Sequence, residues 1–205
     1  PTDNGYVNVF SAMMAFAAIK ADGSISVWGS SNHGGGNAPT DSGYVNVVST
    51  YYAFAAIKAD GTITAWGDSG NGGTGAPSGS YVNVFSTNHA FAAIKADGSI
   101  SAWGGPNNGG SGAPTDSGYV NVFSNVWTFA ALKADGSISV WGHSSYGGSG
   151  APTDNGYVNV FSTDTAFAAI KADGTISAWG HNGGTGAPSG SYVNVFSTNH
   201  AFAAI

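Results

Sequence analysis

The sequence predicts an all-β protein built as a tandem array of short antiparallel units. Three observations lead to this fold class. The 205-residue chain repeats itself with a period of 36–38 residues. Each repeat contains runs in which apolar and polar residues alternate, which is the pattern of a half-buried strand. An Asp-Gly pair separates two of these runs in every complete repeat, as in a β-hairpin.

The repeats divide the chain into a single array without a separate second domain. If each unit begins at a proline, five complete units and one partial unit follow in order: 1–38, 39–76, 77–113, 114–151, 152–187 and 188–205. The sequence of residues 77–94 recurs unchanged at 188–205, 111 residues later. Because both ends resemble the interior rather than polar caps, we expect these 205 residues to be a window of a longer chain.

The first strand of each unit is predicted from strict alternation. In the third unit, residues 81–86 read Tyr-Val-Asn-Val-Phe-Ser. Alternation with β-branched and aromatic residues favours a strand that has Tyr81, Asn83 and Phe85 on one face. The two valines between them are expected on the opposite face.

The second and third strands form a hairpin. Residues 90–96 are rich in alanine, but the Asp-Gly pair that follows favours a strand over a helix. Residues 99–103 alternate again and predict the third strand. A return segment rich in Gly, Asn and Ser follows and has room for a short fourth strand, so each unit is expected to have three to four strands.

The hairpin turns are assigned to the repeated Asp-Gly pairs. These are Asp22-Gly23, Asp60-Gly61, Asp97-Gly98, Asp135-Gly136 and Asp173-Gly174. We predict type I′ turns, which need a positive φ at both central residues. The spacing also places Lys20 and Asp22 on one strand face, where we expect a weak ion pair. An aspartate at a hairpin tip does not supply the facing carboxylates of a glycosidase.

One tryptophan ends the third strand of every complete unit. The five residues are Trp28, Trp66, Trp103, Trp141 and Trp179. A unit of this length buries too little apolar surface to offset the entropy of ordering its chain. We therefore predict that these tryptophans form a core shared between adjacent units.

The repeat resembles a known propeller repeat. Residues 90–104 read Ala-Phe-Ala-Ala-Ile-Lys-Ala-Asp-Gly-Ser-Ile-Ser-Ala-Trp-Gly, and Gly-Gly-x-Gly follows. This pattern resembles the RCC1-like repeat, of the regulator of chromosome condensation type, and recurs five times. The resemblance implies blades of a β-propeller. The units here are shorter than the family's repeats and lack its Gly-His before the second strand. Two architectures therefore stay open: an open superhelical or filament-forming array, and a closed propeller of five or six units.

Composition excludes several functional classes. A net charge of -6 with only five lysines argues against a nucleic-acid partner. No apolar run approaches the length that spans a bilayer, so we expect no membrane insertion. The chain has no cysteine, and its five histidines lack the spacing of metal ligands. We therefore expect no metal, no other cofactor, no catalytic residue and no enzymatic activity.

Two segments vary between the otherwise similar units. The first variable segment precedes the second strand and supplies the candidate residues Met13, Met14, Tyr51, Tyr52, Asn88, His89, Val126, Trp127, Asp164 and His200. The second variable segment follows the Trp-Gly pair. A constant scaffold with varied loops is how repeat proteins build binding surfaces. The large side chains of the first segment are therefore either binding anchors or lateral packing contacts, and the sequence favours neither.

Low charge, repetition and uncapped ends together predict a structural role. We expect a segment of a long extracellular filament, appendage or adhesin stalk at the cell surface. It would self-associate end to end or laterally through exposed sheet edges. The alternative is a lectin-like β-propeller module that binds a glycan through its variable loops.

Overall fold

The computed structural model describes residues 3–205 and confirms an all-β array with one antiparallel sheet per repeat unit. Complete units have three strands, and the sixth unit has two. In chain order the strands are β1 (Tyr6–Ser11), β2 (Ala15–Lys20) and β3 (Ile25–Gly29); β4 (Tyr44–Ser49), β5 (Ala53–Lys58) and β6 (Ile63–Gly67); β7 (Asn83–Ser86), β8 (Ala90–Ile94) and β9 (Ile100–Gly104); β10 (Tyr119–Ser124), β11 (Thr128–Lys133) and β12 (Ile138–Gly142); β13 (Tyr157–Ser162), β14 (Ala166–Lys171) and β15 (Ile176–Gly180); β16 (Val195–Ser197) and β17 (Phe202–Ala204).

The return segments of the first four units carry a 3-10 turn where a fourth strand had room to form. These turns are Ser31–His33, Ser69–Asn71, Pro106–Asn108 and Ser144–Tyr146. Over residues 3–205, no sheet pairs a strand of the first unit with a strand of the last. The described chain therefore shows no closed sheet. None of its helical segments is long and apolar enough to cross a membrane.

A β-bulge changes the predicted alternation of the first strand. In the second unit Tyr44 pairs with Lys58, but Asn46 pairs with Ile57, so Val45 is an extra residue. The bulge exposes this valine to solvent. Each residue after the bulge then lies on the opposite face of the sheet from the one that regular alternation predicts. In the third unit, Tyr81 and Val84 are accordingly buried in one cluster, whereas Asn83 is exposed. The prediction that Tyr81 and Asn83 share a face was therefore wrong.

The hairpin turns also differ from the predicted type. The Gly23 N–H donates to the Lys20 carbonyl, so Ala21 and Asp22 are the central residues of the turn. Among the described residues the only non-glycine positions with positive φ are Asn37 and Asn182, so Asp22 does not adopt a type I′ conformation. Gly23, with φ 78°, instead follows the turn in the left-handed region, as in a hairpin with a G1 bulge. The Asp22 carboxylate accepts hydrogen bonds from the Ser24 N–H and hydroxyl.

The central strand of each inner unit is buried on both faces because it lies between two neighbouring units. In β5, Ala53, Ala55 and Ile57 pack in a cluster with residues of the third unit. Phe54 and Ala56 pack in a cluster with residues of the first unit. The alanines predicted to allow close approach therefore line both inter-unit contacts.

The tryptophans lie at these contacts and bond across them. The Trp66 Nε1–H donates to the Gly34 carbonyl of the preceding unit at 3.1 Å. Trp103, Trp141 and Trp179 make the equivalent bond to Gly72, Gly109 and Gly147. All four side chains are buried, whereas Trp28 in the first unit is half-buried. Each tryptophan also stacks on the phenylalanine of its own second strand.

The first unit exposes the face that later units bury. Phe16 is 44% exposed, whereas its equivalent Phe54 is fully buried. Val9 is exposed in the same way, and its equivalent Val47 is buried. The difference arises because the return segment of the preceding unit covers this face in every later unit.

Candidate interaction surface

The first variable segment forms a main-chain ladder along the array. The Met13 N–H donates to the Tyr51 carbonyl at 3.1 Å, and the Tyr51 N–H donates to the Asn88 carbonyl at 2.9 Å. The series continues from Asn88 to Val126, from Val126 to Asp164 and from Asp164 to Asn199, at 3.1, 3.2 and 3.0 Å. We call these six positions the axial ladder. It links all six units by backbone hydrogen bonds alone.

The two variable segments meet beside the ladder and form a continuous column of rings. His33 lies 5.0 Å from Tyr52, measured between ring centroids, and Tyr52 stacks on His89 at 5.7 Å. His89 stacks on Trp127 at 5.2 Å, and Trp127 lies 5.8 Å from Tyr146. His143 and His181 both contact Tyr146. We call this group the aromatic column. It extends over five units, and the sequence comparison did not foresee that the two segments converge.

His89 occupies the middle of the column between Tyr52 and Trp127. Its Nδ1 lies 2.8 Å from the Asn71 Oδ1, so Nδ1 carries the proton and donates to the amide oxygen. Burial lowers the pKa of His89 below its ordinary value. The neutral imidazole therefore stacks between two rings and is hydrogen-bonded to the preceding unit.

The remaining histidines differ in their surroundings. His33 Nδ1 bonds the Ser30 hydroxyl at 2.9 Å. The Nδ1 of His143 is buried and has no hydrogen-bond partner in the described part of the chain. Tyr146 contacts both His143 and His181. No cluster of three potential metal ligands is found among residues 3–205.

The other candidates lie at the edge of the column or outside it. Met13, Met14 and Tyr51 are exposed, and Tyr51 contacts the edges of Tyr52 and His89. The side chains of Asn88, Val126 and Asp164 are half-buried beside the ladder, and His200 is exposed in the sixth unit. The structure therefore uses Tyr52, His89 and Trp127 as packing contacts and leaves the methionines and Tyr51 accessible.

The lysines pair with a different aspartate from the one expected. Lys20 contacts Asp3 at 2.5 Å and not Asp22. The hydrogen bond from Lys20, and then that from Tyr6, lowers the pKa of Asp3 to about 2. Sequence reasoning missed this pair because the two residues lie 17 positions apart and meet only when the first and second strands align.

Comparisons with known proteins identify the fold. No family model and no curated protein matches the chain. Among solved structures, the ectodomain of the receptor kinase CR4 from Physcomitrella patens matches with a TM-score of 0.63 and 15% identity, over 91% of this chain and 57% of that one. The CRINKLY WD40 ectodomain of the Arabidopsis thaliana receptor kinase ACR4 matches with a TM-score of 0.58 and 14% identity, over 85% and 63%.

A third match bears on the predicted repeat. Prp20p from Saccharomyces cerevisiae, the yeast RCC1, matches with a TM-score of 0.56 and 14% identity, over 86% of this chain and 57% of that one. This chain thus spans 57–63% of the length of the three structures. At these identities the likeness shows the fold, and it confirms the RCC1-like, propeller-type repeat predicted from the sequence.

Proposed function

We propose that the chain is a non-enzymatic structural scaffold that associates end to end into an extracellular filament, appendage or adhesin stalk. One observation carries this proposal. Phe16 and Val9 of the first unit are exposed, whereas units two to five bury the equivalent side chains against their predecessors. Another unit of the same kind fits this face, as at the contact between the first and second units and at that between the second and third units.

Two further features support a scaffold. The axial ladder and the shared cores connect every unit to the next, so an added unit can extend the array without changing its pattern. An extracellular location is supported by the two receptor-kinase ectodomains among the similar structures. The low charge of the chain limits electrostatic repulsion between copies.

Sedimentation velocity and electron microscopy of the 205-residue chain test end-to-end association. We expect oligomers whose size grows with concentration, and we expect Phe16→Asp to abolish them. Val158→Asp is the matched control, because Val158 is equally an exposed apolar residue but is the extra residue of a bulge. A wild-type chain that stays monomeric over the whole concentration range would refute the proposal. Loss of association in the Val158 variant alone would indicate lateral contact instead.

A glycan-binding module is the second candidate, and the aromatic column is the observation that favours it. The ring faces that a sugar would stack on are, however, used within the column, because His89 contacts Tyr52 on one face and Trp127 on the other. Beside the column, Tyr51 is an exposed aromatic side chain that a ligand can reach. Glycan-array binding that is lost in Tyr51→Ala would favour this role over the scaffold.

A further inference from the structure

Four of the five lysines are bridged to a tyrosine by one carboxylate. In the second unit, the Lys58 Nζ lies 2.5 Å from Asp41 Oδ2, and the Tyr44 hydroxyl donates to Asp41 Oδ1 at 2.9 Å. Lys58 also lies over the Tyr44 ring, 5.0 Å from its centroid. The same arrangement recurs as Lys20–Asp3–Tyr6, Lys133–Asp116–Tyr119 and Lys171–Asp154–Tyr157. The repeat therefore contains a carboxylate site that the chain itself fills.

The third unit keeps the lysine and the tyrosine but lacks the aspartate. The segment before Tyr81 is one residue shorter, and Ser78 stands three positions before the tyrosine, where the other four complete units have Asp. Lys95 still lies over the Tyr81 ring at 5.3 Å. Within residues 3–205 no carboxylate is in ion-pair contact with Lys95. Asp97, the nearest acid in sequence, accepts hydrogen bonds from Ser99 instead.

Lys95 lies at a groove lined by both apolar and polar side chains, the latter including Asn83 and Asn121. The groove has a volume of about 390 Å³ and lies between the first strands of the third and fourth units. Its walls include Val82 and Val120, whose side chains are 62% and 60% exposed. Phe85 and Ile94 line it as well. The site therefore combines one cation with exposed aliphatic surface.

We propose that this Lys95 groove binds a carboxylate carried on a short aliphatic chain. The other units show which group completes the pair of lysine and tyrosine, namely a single carboxylate that both side chains contact. An aliphatic chain that packs against the two valines buries apolar surface, and this burial favours binding. Because Lys95 is partly exposed to solvent and the protein has a net charge of -6, binding is weak, with a Kd on the order of 1–10 mM.

Ligand-observed NMR titration of the full chain with hexanoate tests the proposal. We expect saturable binding in the wild type and about tenfold weaker binding in Ser78→Asp, because that variant places a competing carboxylate beside Lys95 at high effective concentration. Lys95→Met should weaken binding similarly. Lys133→Met is the matched control and should bind as the wild type does, because Lys133 already has an internal partner.

The competing outcomes are distinct. Equal binding of hexanol would show that the groove recognises only apolar surface, and it would overturn the proposal. Full affinity in the Ser78 variant, or equal losses in the Lys95 and Lys133 variants, would do so as well. Circular dichroism of each variant confirms that it is folded. The test does not depend on self-association and can fail independently of the proposed scaffold role.

Discussion

The close contact between a return-segment glycine and the next unit's phenylalanine provides the sharpest test of the inter-unit core. Gly109 follows the 3-10 turn of the third unit with φ 95° and lies against the ring of Phe129. A Cβ at Gly109 would lie 2.5 Å from the Phe129 Cδ2 atom. Gly109→Ala therefore imposes both backbone strain and a steric overlap with a fully buried side chain.

The two costs can be separated within the same chain. A left-handed conformation costs a non-glycine residue about 1–2 kcal/mol, and overpacking a dense core costs about 1–3 kcal/mol. We expect Gly109→Ala to lower the free energy of unfolding by roughly 2–5 kcal/mol. Gly118 has φ 87° and open space around the position of its Cβ, so Gly118→Ala carries only the backbone cost of about 1–2 kcal/mol.

Urea unfolding followed by tryptophan fluorescence measures both variants. Trp141 reports on the contact directly, because its Nε1–H donates to the Gly109 carbonyl at 3.0 Å. Equal free energies of unfolding for the two variants would show that Phe129 or the return segment moves aside without cost. That result would refute a tightly packed contact between units.

Three other predictions address the tryptophan bond, the histidine and the ion pairs. Trp103→Phe should destabilise the protein by about 1–3 kcal/mol, because it leaves a buried carbonyl unpaired. Trp28→Phe should cost less, since Trp28 is half-buried, and thermal melts compare the two. Because burial lowers the pKa of His89, the neutral form stabilises the fold above pH 6.5, and stability falls as the pH drops below that value. His89→Phe keeps the stacked ring and should flatten this part of the stability–pH curve. The Lys133 hydrogen bond lowers the pKa of Asp116, so its contribution is complete above pH 3.8 and is lost on further acidification. Asp116→Asn should reduce the acid-induced loss in denaturant titrations below that pH.

The sequence predicts the strands and the repeat but not the irregularities that set their geometry. Asp-Gly between alternating runs correctly places a hairpin after Lys20. The Asp-Gly pattern does not show whether both residues are central in the turn or whether the glycine follows the turn. Glycine can adopt a positive φ in both cases. The bulge at Val45 is equally hidden, since a valine suits a regular strand as well as a bulge. Such features depend on how the first strand aligns with the second, a tertiary property.

The interaction surface was predictable only in part. Variation among units indicates that Tyr52, His89 and Trp127 do not belong to the core packing that all units share. That they join residues of the second variable segment, such as Tyr146, depends on the stacking of whole units. The ion pair of Lys58 with Asp41 has the same origin, because the two residues come together only in the folded unit. Periodicity identifies the elements, and the contacts between them need the structure.

The axial ladder explains how these positions vary while the array keeps a constant geometry. Each link joins an amide N–H to a carbonyl of the next unit, and no side chain takes part, as between Asn88 and Val126. Every residue except proline supplies the same donor and acceptor, so Met, Tyr, Asn, Val and Asp all fit equivalent links. Side chains at the ladder are thus free to differ while the cores at Phe129 and Trp141 stay nearly invariant between units. An array built this way can present different side chains in each unit without a change in the spacing between units.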